Sequence, residues 1–226
     1  MRVGKIIIIF LSILGGILFP KKSEAQTQRT FQREDMHGES IRVPYLRHEE
    51  YQNISLTGSS ALQKSSKQVA DSSPKFGQLL SVASLGEVTR RLGEPESIER
   101  RDLSGNMFIG ILHYEGLRLE YLKTGNKEIR LRKLDISSPD WSVTINGKEL
   151  HPGMKISQLS TTVRESIEHF KRSPSDNPDV DAAAVLHVAK ATNGKSSNRL
   201  EENTSFSFRV DTTAGTIEAI GFHRLI

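Results

Sequence analysis
The side chains able to hold a metal ion or move a proton are seven histidines and one acidic run. His37, His48, His113, His151, His169, His187 and His223 are scattered, and no H-E-x-x-H or comparable ligand spacing joins them. Asp176, Asp179 and Asp181 in SPSDNPDVD suggest a calcium loop, but the alternating acidic register, the central glycine and the distal glutamate are missing. The chain has no cysteine, which removes thiolate ligands, a cysteine nucleophile and disulfides. Neither a G-x-S-x-G elbow nor a phosphate-cradling glycine loop occurs. The reading is therefore a non-enzymatic protein with no catalytic, cofactor or metal site.

The remaining chemistry is charge recognition. GLRLEYLKTGNKEIRLRKL, residues 116–134, alternates apolar and ionic residues around Gly125-Asn126, as a two-faced hairpin does. The expected register sets Tyr121 opposite Ile129 and Leu119 opposite Leu131. On the other face it sets Glu120 opposite Arg130 and Arg118 opposite Arg132. Leu134 and Ile136 change parity, so a bulge is expected near Lys133. Like charges directly opposite one another are destabilising, and an acidic partner would relieve Arg118 and Arg132. Simple solvation of a wet sheet face accounts for them too. Trp141, the only tryptophan, stands where a strand begins, as an interface anchor or as a cap on the core. Arg118, Glu120, Arg130, Arg132 and Trp141 are the candidate protein-binding residues.

The elements that would carry these residues begin well inside the chain. Arg2 and Lys5 precede an apolar run, Ile6 to Phe19, and Ser23-Glu24-Ala25 supplies a small-x-small cut. Residues 1–25 are expected to be a signal peptide cleaved after Ala25, and the protein to be periplasmic or secreted. A membrane contact arises only if that segment is uncleaved. A cysteine-free exported chain points to a bacterium. The whole sequence has 31 basic and 27 acidic residues, net +4. Removing Arg2, Lys5, Lys21, Lys22 and Glu24 leaves 27 against 26, net +1, which gives no electrostatic case for nucleic acid.

Residues 26–75 read as a flexible leader and linker, with an edge strand possible at 40–56. Ser84 and Glu87 have capping-box spacing, Leu85, Val88 and Leu92 share a helical face, and Gly93 and Pro95 stop the helix. Strands follow at 97–103, at 107–114, which is apolar on both parities, and in the charged hairpin. The pattern then returns. Asn146-Gly147 turns a hairpin, Ile156, Leu159 and Val163 mark a second helix, Leu186-His187-Val188 echoes Leu112-His113-Tyr114, and Phe206-Ser207-Phe208 echoes Leu119-Glu120-Tyr121. The expected fold class is α+β, with two tandem modules, 76–145 and 146–226. Each would be a short helix packed on a small antiparallel sheet.

The repeated short helix, its LGEP stop and the hairpins resemble the tandem modules of beta-lactamase inhibitory protein and the small envelope lipoprotein BamE. The resemblance covers residues 76–226. It implies helix-on-sheet modules and a binding role, and no specific target. This chain departs from both, having neither the inhibitor's disulfides nor a lipidated cysteine. The expected function is recognition of an envelope or extracellular protein through the exposed sheet face. The alternative is binding of a small molecule or glycan, with a hydrolase of unrecognised site third.

Overall fold
The computed structural model describes residues 30–34, 40–58, 74–126, 128–161, 163–164, 167, 182–192 and 195–225. The expected signal segment, the aspartate run at 176–181, His37, His169 and residues 26–29, 35–39 and 59–73 of the expected leader and linker lie outside them. The first elements are β1 (Thr30–Glu34), β2 (Ser40–Leu46), helix α1 (His48–Gln52), β3 (Ser55–Gly58), helix α2 (Phe76–Leu79), β4 (Ser81–Val82) and helix α3 (Leu85–Leu92). A run of strands follows: β5 (Ser97–Asp102), β6 (Phe108–Tyr114), β7 (Leu117–Lys123), β8 (Ile129–Ile136), β9 (Trp141–Ile145) and β10 (Lys148–Leu150). After a 3-10 turn at Ile156–Gln158 come β11 (Ala182–Thr192), β12 (Lys195–Asp211) and β13 (Thr216–Arg224).

This is a mostly β protein, and the expectation of helix-on-sheet α+β modules is overturned. A large mixed sheet runs β1-β2-β11-β12-β13-β8-β7-β6-β5, and β4 pairs with the start of β8. Among the described strands only β2 and β11 run parallel. A second sheet, β10-β9-β3, has three strands. The repeated sequence pattern falls on two meanders, β6-β7-β8 and β11-β12-β13. They do not close two units, because β13 pairs with β8 through Ile220↔Ile136 to His223↔Lys133 and fuses them into one sheet. The expected second helix begins as the 3-10 turn, with residues 161, 163, 164 and 167 helical and Leu159, Val163 and Ile167 buried.

Burial explains the fusion. One apolar cluster takes Leu112, Leu119 and Leu131 from the first meander and Leu186, Phe208 and Ile220 from the second. It also takes Leu56 and Val143 from the small sheet and Val88 from α3. Residues 40–58, read as leader, supply Leu46, Tyr51, Ile54 and Leu56 to the same core. Tyr51 meets Phe76, Phe206 and Phe222 in a ring cluster with centroids 4.9–6.3 Å apart, the range of favourable edge and offset contacts. The helices are too short to hold themselves together and are helical because they lie on this core.

The capping box of α3 forms in part and one residue early. The Glu87 carboxylate accepts the Ala83 N–H at 3.0 Å, while the Ser84 side chain makes no cap bond. Arg91, one turn on, donates to Glu87 at 2.6 Å, which holds that carboxyl below its ordinary range. Gly93 ends the helix at φ +91°, a conformation open chiefly to glycine. Asn146 and Gly147, at φ +52° and +75°, make the two-residue turn between β9 and β10.

Candidate functional site
The charged hairpin is β7–β8, and the expected register is overturned: the pairing is shifted by two residues on the turn side, and the bulge adds one more beyond Tyr121. Lys123 pairs with Ile129, Leu122 with Arg130 and Tyr121 with Leu131, while beyond the irregularity Glu120 pairs with Lys133 and Arg118 with Asp135. Arg132 is the extra residue. An inserted residue shifts parity, so Ile129 and Leu131 before it and Leu134 and Ile136 after it all face the core. Arg118 does not oppose Arg132, and the expected like-charge conflict does not arise. Instead Glu120 sits between the two arginines, accepting from Arg118 Nη2 at 2.9 Å and lying 3.2 Å from Arg132 Nη1. Asp135 lies 3.3 Å from Arg118 Nη1 and 3.1 Å from Lys133 Nζ.

The lattice continues onto β5 and β6. Glu99 and Arg101 share the outward face of β5, paired with Ile111 and Ile109 of β6. Arg101 donates to Glu99 at 2.7 Å, and that hydrogen bond, with the opposite charge of each partner, lowers the Glu99 carboxyl and raises the Arg101 guanidinium. His113 Nε2 stands 3.8 Å from Glu99 Oε2, both side chains partly exposed. On the inward side of β5 the same two-residue spacing repeats, with Arg100 donating to Asp102 at 2.8 Å. Arg100 also lies over the Phe108 ring, 4.2 Å from its centroid.

Between these charges lies an apolar centre. In β6 the core residues are Phe108, Leu112 and Tyr114, so Ile109, Ile111 and His113 must point the other way. In β7 the core residues are Leu117, Leu119 and Tyr121, which turns Arg118, Glu120 and Leu122 outward. Ile109 and Leu122 are cross-strand partners. Ile111 is only 1% exposed although it lies outside the core cluster. Its strand partners Glu99 and Glu120, held by Arg101 and Arg118, cover it with aliphatic stems and ion pairs.

The outward positions of the other meander, including Val185, Ser205, Ser207, Ala219 and Gly221, are small or polar. At Gly221 a Cβ would lie 2.7 Å from Ser207 Oγ. Among the described residues the ion pair on this meander is Arg209 with Glu218 at 3.3 Å, whereas β5–β8 carry a linked series.

Of the five expected site residues, Arg118, Glu120 and Arg132 meet directly, and Arg130 stands on the same face beside Leu122. Trp141 does not belong with them. It is 3% exposed, its indole N–H donates to the Glu115 carbonyl at 2.9 Å, and its ring meets Tyr114 edge-on and lies against Gly58. A ring satisfied on every side is a core residue, not an anchor for a partner. Ile109, Ile111, Leu122, Glu99, Arg101, Lys133 and Asp135 were missed. The signal for Ile109 and Ile111 is MFIGILHY, apolar on both parities, which on a sheet covered on one side must place apolar side chains on the open side.

A shallow cleft of about 300 Å³ between α1 and the β9–β10 turn is lined by residues that include Arg47, Glu50, Asn53 and Asn146. Its groups are engaged with one another: Glu50 accepts from the Arg47 backbone and side chain at 2.8 and 3.3 Å, and Asn53 donates to the Glu49 carbonyl at 2.8 Å. No aromatic ring lines it for a sugar to stack on. Among the described residues no three His, Asp or Glu side chains converge as a metal site, and no helix is long and apolar enough to cross a membrane. No protein-family model, curated protein or solved structure matches the chain.

Proposed function
We propose that this chain is a non-enzymatic recognition protein of the bacterial envelope, binding a protein partner through the outward face of β5–β8. The observation that carries the reading is the layout of that face. Ile109 and Leu122 form an apolar centre beside the buried Ile111, and Arg101, Arg118, Arg130 and Arg132 surround it with Glu99 and Glu120. Protein interfaces have this anatomy, an apolar centre desolvated behind a polar rim in which arginine is enriched. The export reading rests on the Arg2-to-Ala25 pattern and the absence of cysteine.

A photo-crosslinking residue in place of Ile109 should trap a defined partner from an envelope extract, and one in place of Glu218 should not. Leu122→Asp should suppress the trapping at position 109 while leaving the thermal melt in place. Equal crosslinking at both positions, or trapping indifferent to Leu122→Asp, would end the proposal.

A further inference from the structure
We infer that the partner offers this face an acidic segment, carboxylates bracketing an apolar side chain, with Arg130 and Arg132 as the receptor pair. The inference rests on the reading of the β5–β8 face as a protein-binding surface. The outward side chains of β7 and β8 carry four cations, Arg118, Arg130, Arg132 and Lys133, against two carboxylates, Glu120 and Asp135. Regular alternation would turn only one of two successive residues outward. The bulge at Arg132 turns both Arg132 and Lys133 outward, and so adds a cation to the face.

Nor are these charges used up internally. A guanidinium has five N–H donors in a plane. Arg132 approaches Glu120 with one nitrogen, and Arg130 makes no ion pair among the described residues. They stand two residues apart along one strand, roughly 6–7 Å between Cα atoms, a spacing at which both can reach one carboxyl group. Leu122 is the cross-strand partner of Arg130 and Ile109 that of Leu122, so the apolar contact begins where the uncommitted cation stands. A carboxylate on the arginines and a neighbouring apolar side chain on Ile109 and Leu122 are thus matched together. A phosphate-rich surface is matched less well. It favours unopposed cations, and here carboxylates are interleaved with them and an apolar patch asks to be covered.

The test is selection of a random-peptide display library on the immobilised full chain at about 0.1 M salt, where surface charges are screened beyond about 10 Å. Parallel selections use Arg130→Glu with Arg132→Gln, and Ile109→Asp with Leu122→Asp. All these side chains are outward, and circular dichroism melts verify that each variant keeps the fold. The expected pool is rich in Asp and Glu flanking Leu, Ile or Phe, with that bias lost on the arginine variant.

A pool without acidic bias that still depends on Ile109 and Leu122 would overturn the acidic assignment and leave the face standing. A pool insensitive to both variants, or no pool at all, would remove both. Capture of phosphatidylglycerol vesicles that disappears with the arginine variant would reassign the pair to a membrane surface and overturn the inference.

Discussion
Tyr121 carries a hydroxyl where nothing accepts its proton: the residue is fully buried and its oxygen has no hydrogen-bond partner among the described residues. An unmade buried hydrogen bond costs about 1–3 kcal/mol, so Tyr121→Phe should raise the unfolding free energy by about 1 kcal/mol in urea titration. A lower value would show that the oxygen is satisfied. Burial also pushes the phenols of Tyr121 and Tyr114 above their ordinary range. A raised folded-state pKa means stability that is full below the unfolded phenol's value, about 10, and is lost as pH rises beyond it. Melts above about pH 10 should fall with rising pH, and less steeply for Tyr121→Phe. At the acid end Glu87 and Glu99 are lowered, so their contribution is present above the unfolded carboxyl range and fades as pH drops below it. At this scale the sequence showed which residues are ionic and left their partners open. Arg118 could be read as outward from alternation, but whether it faces Arg132 or Asp135 depends on a two-residue shift at the turn plus one inserted residue, neither of which a local signal locates.

At the scale of elements the same insertion separates what was legible from what was not. Hydrophobic alternation gave the hairpin, its inner residues and the need for a bulge, because a strand with one buried face cannot change parity without one. The bulge at Arg132 rather than Lys133, and the separate shift that pairs Lys123 with Ile129, go with the pairing of β8 to β13 and β4 on its other edge. Helix α3 was legible from its apolar spacing and its glycine stop. What it rests on was not. Gly110 of β6 leaves room for Leu85, and a Cβ there would lie 2.6 Å from Leu85 Cδ1. Gly110→Ala can be met by rotation of the leucine tip, whereas Gly110→Val should lift α3 and cost about 1–3 kcal/mol, read from urea midpoints. Equal stability of the two variants would show that α3 packs more loosely than described.

For the whole molecule, repetition in the sequence was legible and fusion was not. Two similar meanders can close separately or share an edge, and the choice lies with the four residue pairs between β8 and β13 and with a core common to both. The 26–75 segment looked polar because its apolar residues are sparse, yet Leu46, Tyr51, Ile54 and Leu56 are each fully used. Unfolding should therefore be a single transition by fluorescence and by calorimetry, and a fragment of residues 76–226 should melt well below the full chain, having lost Tyr51 from its ring cluster. Strand β5 is an edge of the large sheet, with no described neighbour on its outer side. It has ion pairs on both faces, Glu99 with Arg101 and Arg100 with Asp102, and flanking Ile98, 52% exposed. Charges on a bare strand discourage other polypeptides from stacking along it. Because molar salt screens such charges to about 3 Å, the same concentrate that stays clear in dilute buffer should thicken into fibrillar, thioflavin-positive material in concentrated sodium chloride.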